Sequence, residues 1–419
     1  MRRLFLLMCC SALALALAPT APAGPRMYVG AAEDAAKQTD LVVAEAKMSL
    51  ARLAGMNAIR MTAYWVPGQR EIGGWQLDAL RNAATGADLN GIRIVLSVYQ
   101  PGSRTTPLTP EHRAEFAAFA ASIPRLIPSI TDYIIGNEPN LNLFWMPQFN
   151  PDGTSASPAA YLQLLAQTYD AMKAVSPKVN VIGGSVSPRG QDKPASKRHT
   201  HSPTRFILEL GNAYRASKRT KPVMDAFAFH PYGENSSVRP DFRRHVRSTS
   251  IGLAEYDRLV ALLTVAFDGT AQRGSTLPIV YDEFGVDTQI PAEKADAYKG
   301  REPATTKPVS EATQAAYYKL ALEMAYCQPN VVGMLIFHVT DEEDLDRWQS
   351  GVYYADDTPK ASLQAFKRAA EAVRAGRVGR CPAAARTGPG LVKVPVPQAR
   401  KRVAPAQTGR APSPKKPTP

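Results

Sequence analysis

The chain alternates between short, almost continuously apolar runs and longer segments in which apolar residues recur at helical spacing. Continuous apolar runs are typical of parallel strands that are covered on both faces. The runs predict strands at residues 28–31, 58–63, 92–99, 133–138, 179–186, 224–230, 277–284 and 331–340. The other segments predict helices at residues 41–56, 77–89, 111–127, 158–175, 204–217, 251–267, 311–326 and 359–375.

A predicted helix follows each predicted strand, which is typical of an α/β fold with a parallel sheet. Eight such units predict a (β/α)8 TIM barrel, in one domain over residues 24–378. A doubly wound open sheet is the alternative, but no glycine-rich phosphate loop follows the first strand. Long insertions follow strands five, six and seven, and the sequence leaves open whether they enclose the top face. They cover residues 189–205, 234–250 and 287–310.

Residues 1–23 have the pattern of a secretory signal peptide. Arg2 and Arg3 precede an apolar run, and Ala21-Pro22-Ala23 is a small-x-small cleavage pattern. We therefore expect a secreted, extracellular protein. A lipid anchor at Cys9 is disfavoured because the preceding Met8 is too large for a good lipoprotein cleavage site. No later apolar run is long enough to predict a transmembrane segment.

The net charge of +13 is concentrated at the two ends of the chain. Arg2 and Arg3 carry two of these charges, and residues 379–419 carry nine lysines or arginines and no acid, so residues 24–378 retain only +2. The domain therefore gives no indication of nucleic-acid binding. Residues 379–419 contain nine prolines and no aromatic residue, which predicts a disordered tail. The tail is either a tether to an anionic cell envelope or a solubilising segment.

Two of the four cysteines, Cys9 and Cys10, belong to the predicted signal peptide. Cys327 and Cys381 remain, in a protein that we expect to be exported to an oxidising compartment. A disulfide between them would attach the start of the tail to the domain, whereas the alternative is two free, buried thiols. The sequence alone leaves both open.

Two glutamates stand at the ends of predicted strands. Glu138 ends strand four, between Asn137 and Pro139, and Glu283 ends strand seven directly after Asp282. In a closed barrel the carboxyl ends of strands four and seven face each other across the top, where active sites are built. Two facing carboxylates are the groups that cleave a glycosidic bond. Because neighbouring side chains on a strand alternate between faces, we expect only one of Asp282 and Glu283 to enter the barrel mouth.

The Asn-Glu-Pro end of strand four and the Glu at the end of strand seven resemble clan A glycoside hydrolases, the retaining "4/7" superfamily. The resemblance covers nearly all of residues 26–377 and is closest to the cellulase-like families 5 and 39. It implies a poly- or oligosaccharide substrate, with Glu138 as general acid/base and Glu283, rather than Asp282, as nucleophile. It also implies that Asn137 hydrogen-bonds the 2-hydroxyl of the sugar. A non-catalytic glycan-binding barrel is the alternative function.

The resemblance also assigns residues around the two glutamates. It implies that Arg60 pairs with the nucleophile and that His230 and Tyr232 lie beside it. Strand eight departs from the family pattern, because it ends in Phe337-His338 where many relatives have a tryptophan platform. His338 is therefore a candidate substrate contact, and the candidate stacking surfaces are Trp65, Trp145 and Trp348.

Two further patterns are weaker. His199-Thr200-His201 has the spacing of a metal-binding pair, but it lies in a basic loop after strand five rather than at the end of strand one. The acidic run at 341–346 lacks the glycine and final glutamate of an EF-hand, which favours a solvated loop over a calcium site. We expect no metal, no cofactor and a monomer.

Overall fold

The computed structural model describes residues 27–382 apart from 195 and 197, together with residue 385. The predicted signal peptide and most of the predicted basic tail lie outside the described residues. The strands are β1 (Tyr28–Ala32), β2 (Ala58–Tyr64), β3 (Arg93–Tyr99), β4 (Asp132–Ile135), β5 (Asn180–Val186), β6 (Ala226–Phe229), β7 (Ile279–Tyr281) and β8 (Val331–Phe337). The helices are α1 (Leu41–Leu53), α2 (Gly74–Asn90), α3 (Pro110–Leu126), α4 (Ser157–Val175), α5 (Pro203–Ala216), α6 (Tyr256–Phe267), α7 (Glu311–Tyr326) and α8 (Leu363–Arg374).

The eight strands pair in parallel in chain order and β8 closes on β1, which confirms the predicted (β/α)8 barrel. A small apolar cluster contains residues from every strand and none from the helices, so it fills the barrel interior. The larger cluster joins the outer face of the sheet to the helices. Each strand is therefore buried on both faces, which is why the strands read as continuous apolar runs.

Helix α1 illustrates how local sequence sets the boundaries. The Asp40 carboxylate caps its start by accepting hydrogen bonds from the backbone N–H groups of Val42 and Val43. Gly55, two residues beyond the helix, has a φ of 83°, a conformation that glycine adopts without strain. By contrast, Pro124 does not break α3 but lies inside its last turn, and the helix continues to Leu126.

Four strands, β4, β6, β7 and β8, end earlier than predicted, and two of them precede the candidate glutamates. β4 ends at Ile135 rather than Glu138, because the chain turns at Gly136 and Glu138, with φ angles of 91° and 38°. β7 ends at Tyr281, so Asp282 and Glu283 lie beyond the paired residues. Both glutamates therefore stand on the loops that follow these strands.

Cys327, directly after α7, forms a disulfide with Cys381. The bond joins residues that are 54 positions apart and attaches the start of the predicted tail to the domain. Of the two alternatives that the sequence left open, the structure contains the disulfide. Within residues 27–382, no helix is both long and apolar enough to cross a membrane.

Candidate active site

A polar layer lies directly above the apolar filling of the barrel. Ala58, Val95 and Val280 belong to the interior cluster, together with Ala228 of β6. Because side chains alternate along a strand, the residue two positions further on faces the interior again, one layer higher. These next residues are Arg60, Ser97, His230 and Asp282. All four are buried, so their charges and hydrogen-bonding groups need partners inside the protein.

Arg60 holds the two loops of the site together. Its Nη1 donates to Glu283 Oε1 at 2.5 Å and its Nη2 donates to Asn137 Oδ1 at 2.7 Å. Its Nε donates to Ser97 Oγ at 2.9 Å and lies 3.4 Å from Asp282 Oδ2. Burial alone lowers the pKa of Arg60, but the charges of Glu283 and Asp282 outweigh it and raise the pKa. A permanent cation therefore lies against the Glu283 carboxylate.

His230 lies between the two glutamates. Its Nδ1–H donates to Glu138 Oε1 at 3.0 Å, and the same nitrogen lies 3.4 Å from Glu283 Oε2. The two carboxylate oxygens are therefore no further apart than the sum of these distances, roughly 6.4 Å. The strand order that the sequence predicts has brought Glu138 and Glu283 into one cluster.

The other side of the His230 ring contacts Asp282. Nε2 lies 3.2 Å from Asp282 Oδ2 and 3.0 Å from Ser185 Oγ, which itself donates to Asp282 Oδ2 at 2.8 Å. Burial alone lowers the pKa of His230, but the charges of Asp282 and Glu283 outweigh it and raise the pKa to about 10. The ring is therefore an imidazolium at neutral pH, and both nitrogens donate.

This arrangement predicts a loss of stability at alkaline pH. Because the pKa of His230 rises on folding from an ordinary value of ~6.5, its contribution is complete below about pH 6.5 and disappears as the pH rises through about 10. We expect the free energy of unfolding to fall more steeply between pH 7 and pH 10 in the natural protein than in His230→Asn. Urea unfolding at intervals of one pH unit measures both slopes, and equal slopes would contradict the prediction.

Asp282 corrects the expectation that only one acid of the pair enters the barrel mouth. Alternation from Val280 turns Asp282 inward, and Glu283 also reaches the cluster because β7 has already ended at Tyr281. Asp282 is completely buried, whereas the Glu283 side chain is 12% exposed. Burial favours the neutral acid, but the charge and hydrogen bond of His230 outweigh it and lower the pKa of Asp282.

Tyr232 completes the contacts of Glu283. Its hydroxyl donates to Glu283 Oε2 at 3.0 Å. Burial and the negative charge of Glu283 raise the pKa of Tyr232 well above its usual range, so the hydroxyl keeps its proton and remains a donor. Glu283 thus accepts one hydrogen bond from Arg60 and one from Tyr232, through different oxygens.

Of the three tryptophans expected to stack on a sugar, only Trp348 has a place in the site. Trp65 and Trp145 are 0% and 1% exposed, so the expectation that they offer stacking surfaces is wrong. Trp65 packs edge-on against Phe116, and Trp145 packs edge-on against Tyr161. Both are core residues because the helices cover them completely.

Trp348 is partly exposed and forms an aromatic wall with Tyr232 and Phe337, with ring centroids 5.1 and 5.2 Å from its own. Phe337, the last residue of β8, is not among the predicted site residues, because the family pattern has a tryptophan at the end of this strand. Its position two residues after the inward-facing Leu335 is the signal that identifies it. A second aromatic group consists of Tyr64 and Tyr99, the last residues of β2 and β3, and Phe144, in the loop after β4.

His338 lies beside the cluster rather than in it. Its ring packs against Phe337, with centroids 3.9 Å apart, and its nitrogens lie 3.8 Å from Glu33 and 3.9 Å from Glu342. It lines a cavity of about 500 Å³ beside the ends of β1 and β8. The nearby acid Asp341 is buried and pairs with Lys360 at 2.8 Å.

His201 is a structural residue. Its Nδ1 lies 2.8 Å from Gln148 Oε1, and its ring stacks on Phe149 with centroids 4.2 Å apart. Burial and the charge of Arg205 lower the pKa of His201 to about 3, so the ring is neutral. In the part of the chain that the structure describes, no group of three or more His, Cys, Asp or Glu side chains is arranged to hold a metal ion.

No family model and no curated protein matches this sequence. Solved structures do match. A GH39 enzyme from Xanthomonas axonopodis pv. citri has 16% identity and a TM-score of 0.52, over 83% of this chain and 66% of its own. GH5_18 from Streptomyces cattleya, solved in complex with GlcNAc, has 16% identity and a TM-score of 0.53, over 83% of this chain and 80% of its own.

A GH39 β-xylosidase from Caulobacter crescentus matches at 16% identity and a TM-score of 0.51, over 83% of this chain and 72% of its own. The chain thus spans just under two thirds of the length of the Xanthomonas enzyme and more of the other two. At such low identity the likeness concerns the fold. The resemblance noted in the sequence is confirmed at that level: the chain has the (β/α)8 barrel fold that these GH39 and GH5_18 enzymes have.

Proposed function

We propose that this protein is a retaining glycosidase that hydrolyses O-glycosidic bonds of a poly- or oligosaccharide by double displacement. The observation that carries the proposal is the position of His230 Nδ1, 3.0 Å from Glu138 and 3.4 Å from Glu283. The resulting upper limit of roughly 6.4 Å between the two oxygens brings both carboxylates to one bond-sized site, and the ~5–5.5 Å carboxyl separation of retaining enzymes lies within this limit. Fold and site thus support the same reaction class.

Glu283 has the environment of a nucleophile. Arg60 and Tyr232 hold its two oxygens, since each donates a hydrogen bond to one of them. In the first step a Glu283 oxygen forms a bond to the anomeric carbon while the bond to the leaving oxygen breaks. Glu138 gives its proton to that oxygen. In the second step Glu138 takes a proton from water, whose oxygen displaces Glu283 and releases the sugar.

Glu138 is accessible to substrate, since 15% of its side chain is exposed, and it accepts a hydrogen bond from His230 at 3.0 Å. Asn137, held by Arg60 through its carbonyl oxygen, retains its amide N–H groups for a sugar hydroxyl.

The proposal is tested by incubating the protein with 2-deoxy-2-fluoro glycosyl fluorides and measuring the intact and peptide masses. The panel contains gluco, xylo and manno reagents, because the structural neighbours include enzymes described as a glucosidase, β-xylosidases and an exo-β-1,4-mannosidase. We expect a covalent sugar on the peptide that contains Glu283. A label on Asp282, or on a carboxylate outside the cluster, would contradict the assignment.

We also propose that the protein is secreted. The signal-peptide pattern of residues 1–23 is the basis, and the Cys327–Cys381 disulfide supports an oxidising compartment. Mass spectrometry of culture medium tests this, since the exported protein should lack residues 1–23. Electrostatic association of the tail with an anionic envelope remains a proposal of the same kind, and salt extraction of whole cells tests it.

The aromatic wall predicts a binding defect. Replacing Trp348 with alanine removes the largest ring of the wall, and we expect KM to rise about 5-fold, or ~1 kcal/mol, with a smaller change in kcat. Trp348→Phe keeps a ring and should retain most of the affinity. Steady-state kinetics on the sugar selected by the trapping reagents measures both variants. An unchanged KM in Trp348→Ala would show that the wall does not contact substrate.

A further inference from the structure

The two sides of the top face carry opposite charge. The insertion at 189–205, after β5, contains five lysines or arginines and one acid, and the insertion at 234–250, after β6, contains four arginines and two acids. Across the barrel, the cavity beside β1 and β8 is lined by six carboxylates and three lysine or arginine side chains. A glycan that crosses this face passes from an acidic to a basic environment.

The backbone of Arg189 is hydrogen-bonded to the loop that carries Glu138. The buried side chain of Asn140, two residues after Glu138, donates to the Arg189 carbonyl at 3.4 Å and to the Ser187 carbonyl at 3.2 Å. The side-chain oxygen of Asn140 accepts a hydrogen bond from the backbone N–H of Ser187 at 2.9 Å. Residues 187–189 are therefore fixed relative to Glu138.

The Arg189 side chain extends from this segment toward the loop after β6. Its Nη1 donates to the carbonyl of Gly233 at 3.0 Å. Glu138 and Glu234 are close enough for their negative charges to act on the guanidinium, although neither forms an ion pair with it. Partial burial and the charge of Arg244 lower the pKa of Arg189, which remains a cation at neutral pH. The residue is still exposed to solvent.

Arg189 differs from its neighbour Arg244 in having no carboxylate partner. Arg244 is 6% exposed and lies 3.1 Å from the buried Glu255 and 3.7 Å from Glu234. Among the described residues, no carboxylate oxygen lies within 4.0 Å of the Arg189 guanidinium. An exposed, unpaired arginine beside a reaction centre is suited to binding an anion, which its planar guanidinium contacts through two hydrogen bonds.

We propose that Arg189 binds an anionic substituent, a carboxylate or a sulfate ester, on the leaving-group side of the substrate. This inference rests on the proposed function, because Glu138 defines that side by protonating the leaving oxygen. A sugar in this position lies next to Glu138 and therefore within reach of Arg189. The preferred substrates are accordingly acidic glycans in which the charged unit follows the bond that is cleaved.

In an aryl glycoside the aromatic ring is the leaving group, so a charged substituent on the ring lies on the leaving-group side of the substrate. The test compares a 4-nitrophenyl glycoside with analogues that carry a carboxylate or a sulfate ester on the ring, all with the same sugar. We expect the charged substrates to have a kcat/KM about 10-fold higher than the neutral one at low salt, and the ratio to fall as NaCl is added. The two charged substrates distinguish a carboxylate from a sulfate ester as the preferred anion.

Three variants test whether Arg189 causes the higher kcat/KM of the charged substrates. In Arg189→Gln the ratio of charged to neutral kcat/KM should fall to about 1, and in Arg189→Lys part of it should remain because the charge is kept. Arg239→Gln is the matched control, since Arg239 lies in the neighbouring insertion and is already paired with Asp241 at 2.8 Å. It should keep the full ratio.

The outcomes separate the two proposals. A ratio near 1 in the natural protein, or an unchanged ratio in Arg189→Gln, would overturn the role of Arg189 while leaving the glycosidase intact. If no aryl glycoside of the gluco, xylo and manno series is cleaved and no fluoro sugar is attached, the proposed function fails, and this inference fails with it.

Discussion

Replacing Glu283 with glutamine is expected to reduce kcat at least about 10³-fold while leaving the fold intact. Glutamine keeps a carbonyl oxygen that can accept the Arg60 hydrogen bond, but it has no negative charge and does not attack the anomeric carbon. The remaining groups then hold the substrate without forming the glycosyl-enzyme. Steady-state kinetics at saturating substrate measures the loss.

Controls are needed because the substitution leaves the Arg60 cation without its 2.5 Å partner charge. Far-UV circular dichroism and the unfolding midpoint show whether the variant is folded, and Glu371→Gln on the exposed face of α8 is a matched surface change. A smaller variant, Glu283→Gly, leaves room for azide, which should yield a glycosyl azide of inverted configuration. A kcat within 10-fold of the natural enzyme would exclude Glu283 as nucleophile.

Replacing Glu138 with alanine is expected to produce a loss that depends on the leaving group. General acid catalysis contributes ~10²–10⁴-fold when the departing oxygen is basic, and little when it leaves readily as a phenolate. We therefore expect a large fall in kcat/KM for an alkyl glycoside and a small one for a dinitrophenyl glycoside. The second step also slows, since no base activates water, and a glycosyl-enzyme should accumulate.

Azide distinguishes this variant from the Glu283 variants. The anion enters the space that Glu138 leaves and attacks the glycosyl-enzyme on the face opposite Glu283, so the glycosyl azide should have the configuration of the substrate. Equal losses for the alkyl and dinitrophenyl substrates would contradict the acid/base role. A glycan-binding barrel without activity would show no turnover in any variant and no covalent intermediate.

The number and order of the barrel strands could be predicted because parallel strands that are buried on both faces require continuous apolar runs. Those runs can be recognised in the sequence alone. Strand order then followed from chain order, and with it the placing of Glu138 and Glu283 on facing loops. The ends of β4 and β7 were predicted less well. They depend on where the backbone turns, as at Gly136 and Glu138, rather than on hydrophobicity.

Which aromatic residues are buried and which line the site could not be predicted from the sequence. Trp65 and Trp348 have the same side chain, and each follows a strand, yet one is completely buried and the other lines the site. Burial is decided by which helices and loops pack over a residue, and these contacts join distant parts of the chain. The contact of Phe337 with Trp348 likewise exists only after folding.

The sequence by itself determined the barrel and the identity of the two glutamates, because hydrophobic periodicity and short motifs are local properties. Only the tertiary structure decided that Asp282 enters the cluster beside Glu283, that His230 is a cation between both glutamates, and that the Arg189 guanidinium has no carboxylate of the described residues within 4.0 Å. Each depends on distances between charges that are far apart in sequence. Those distances set pKa values through electrostatics, which acts through space and not along the chain.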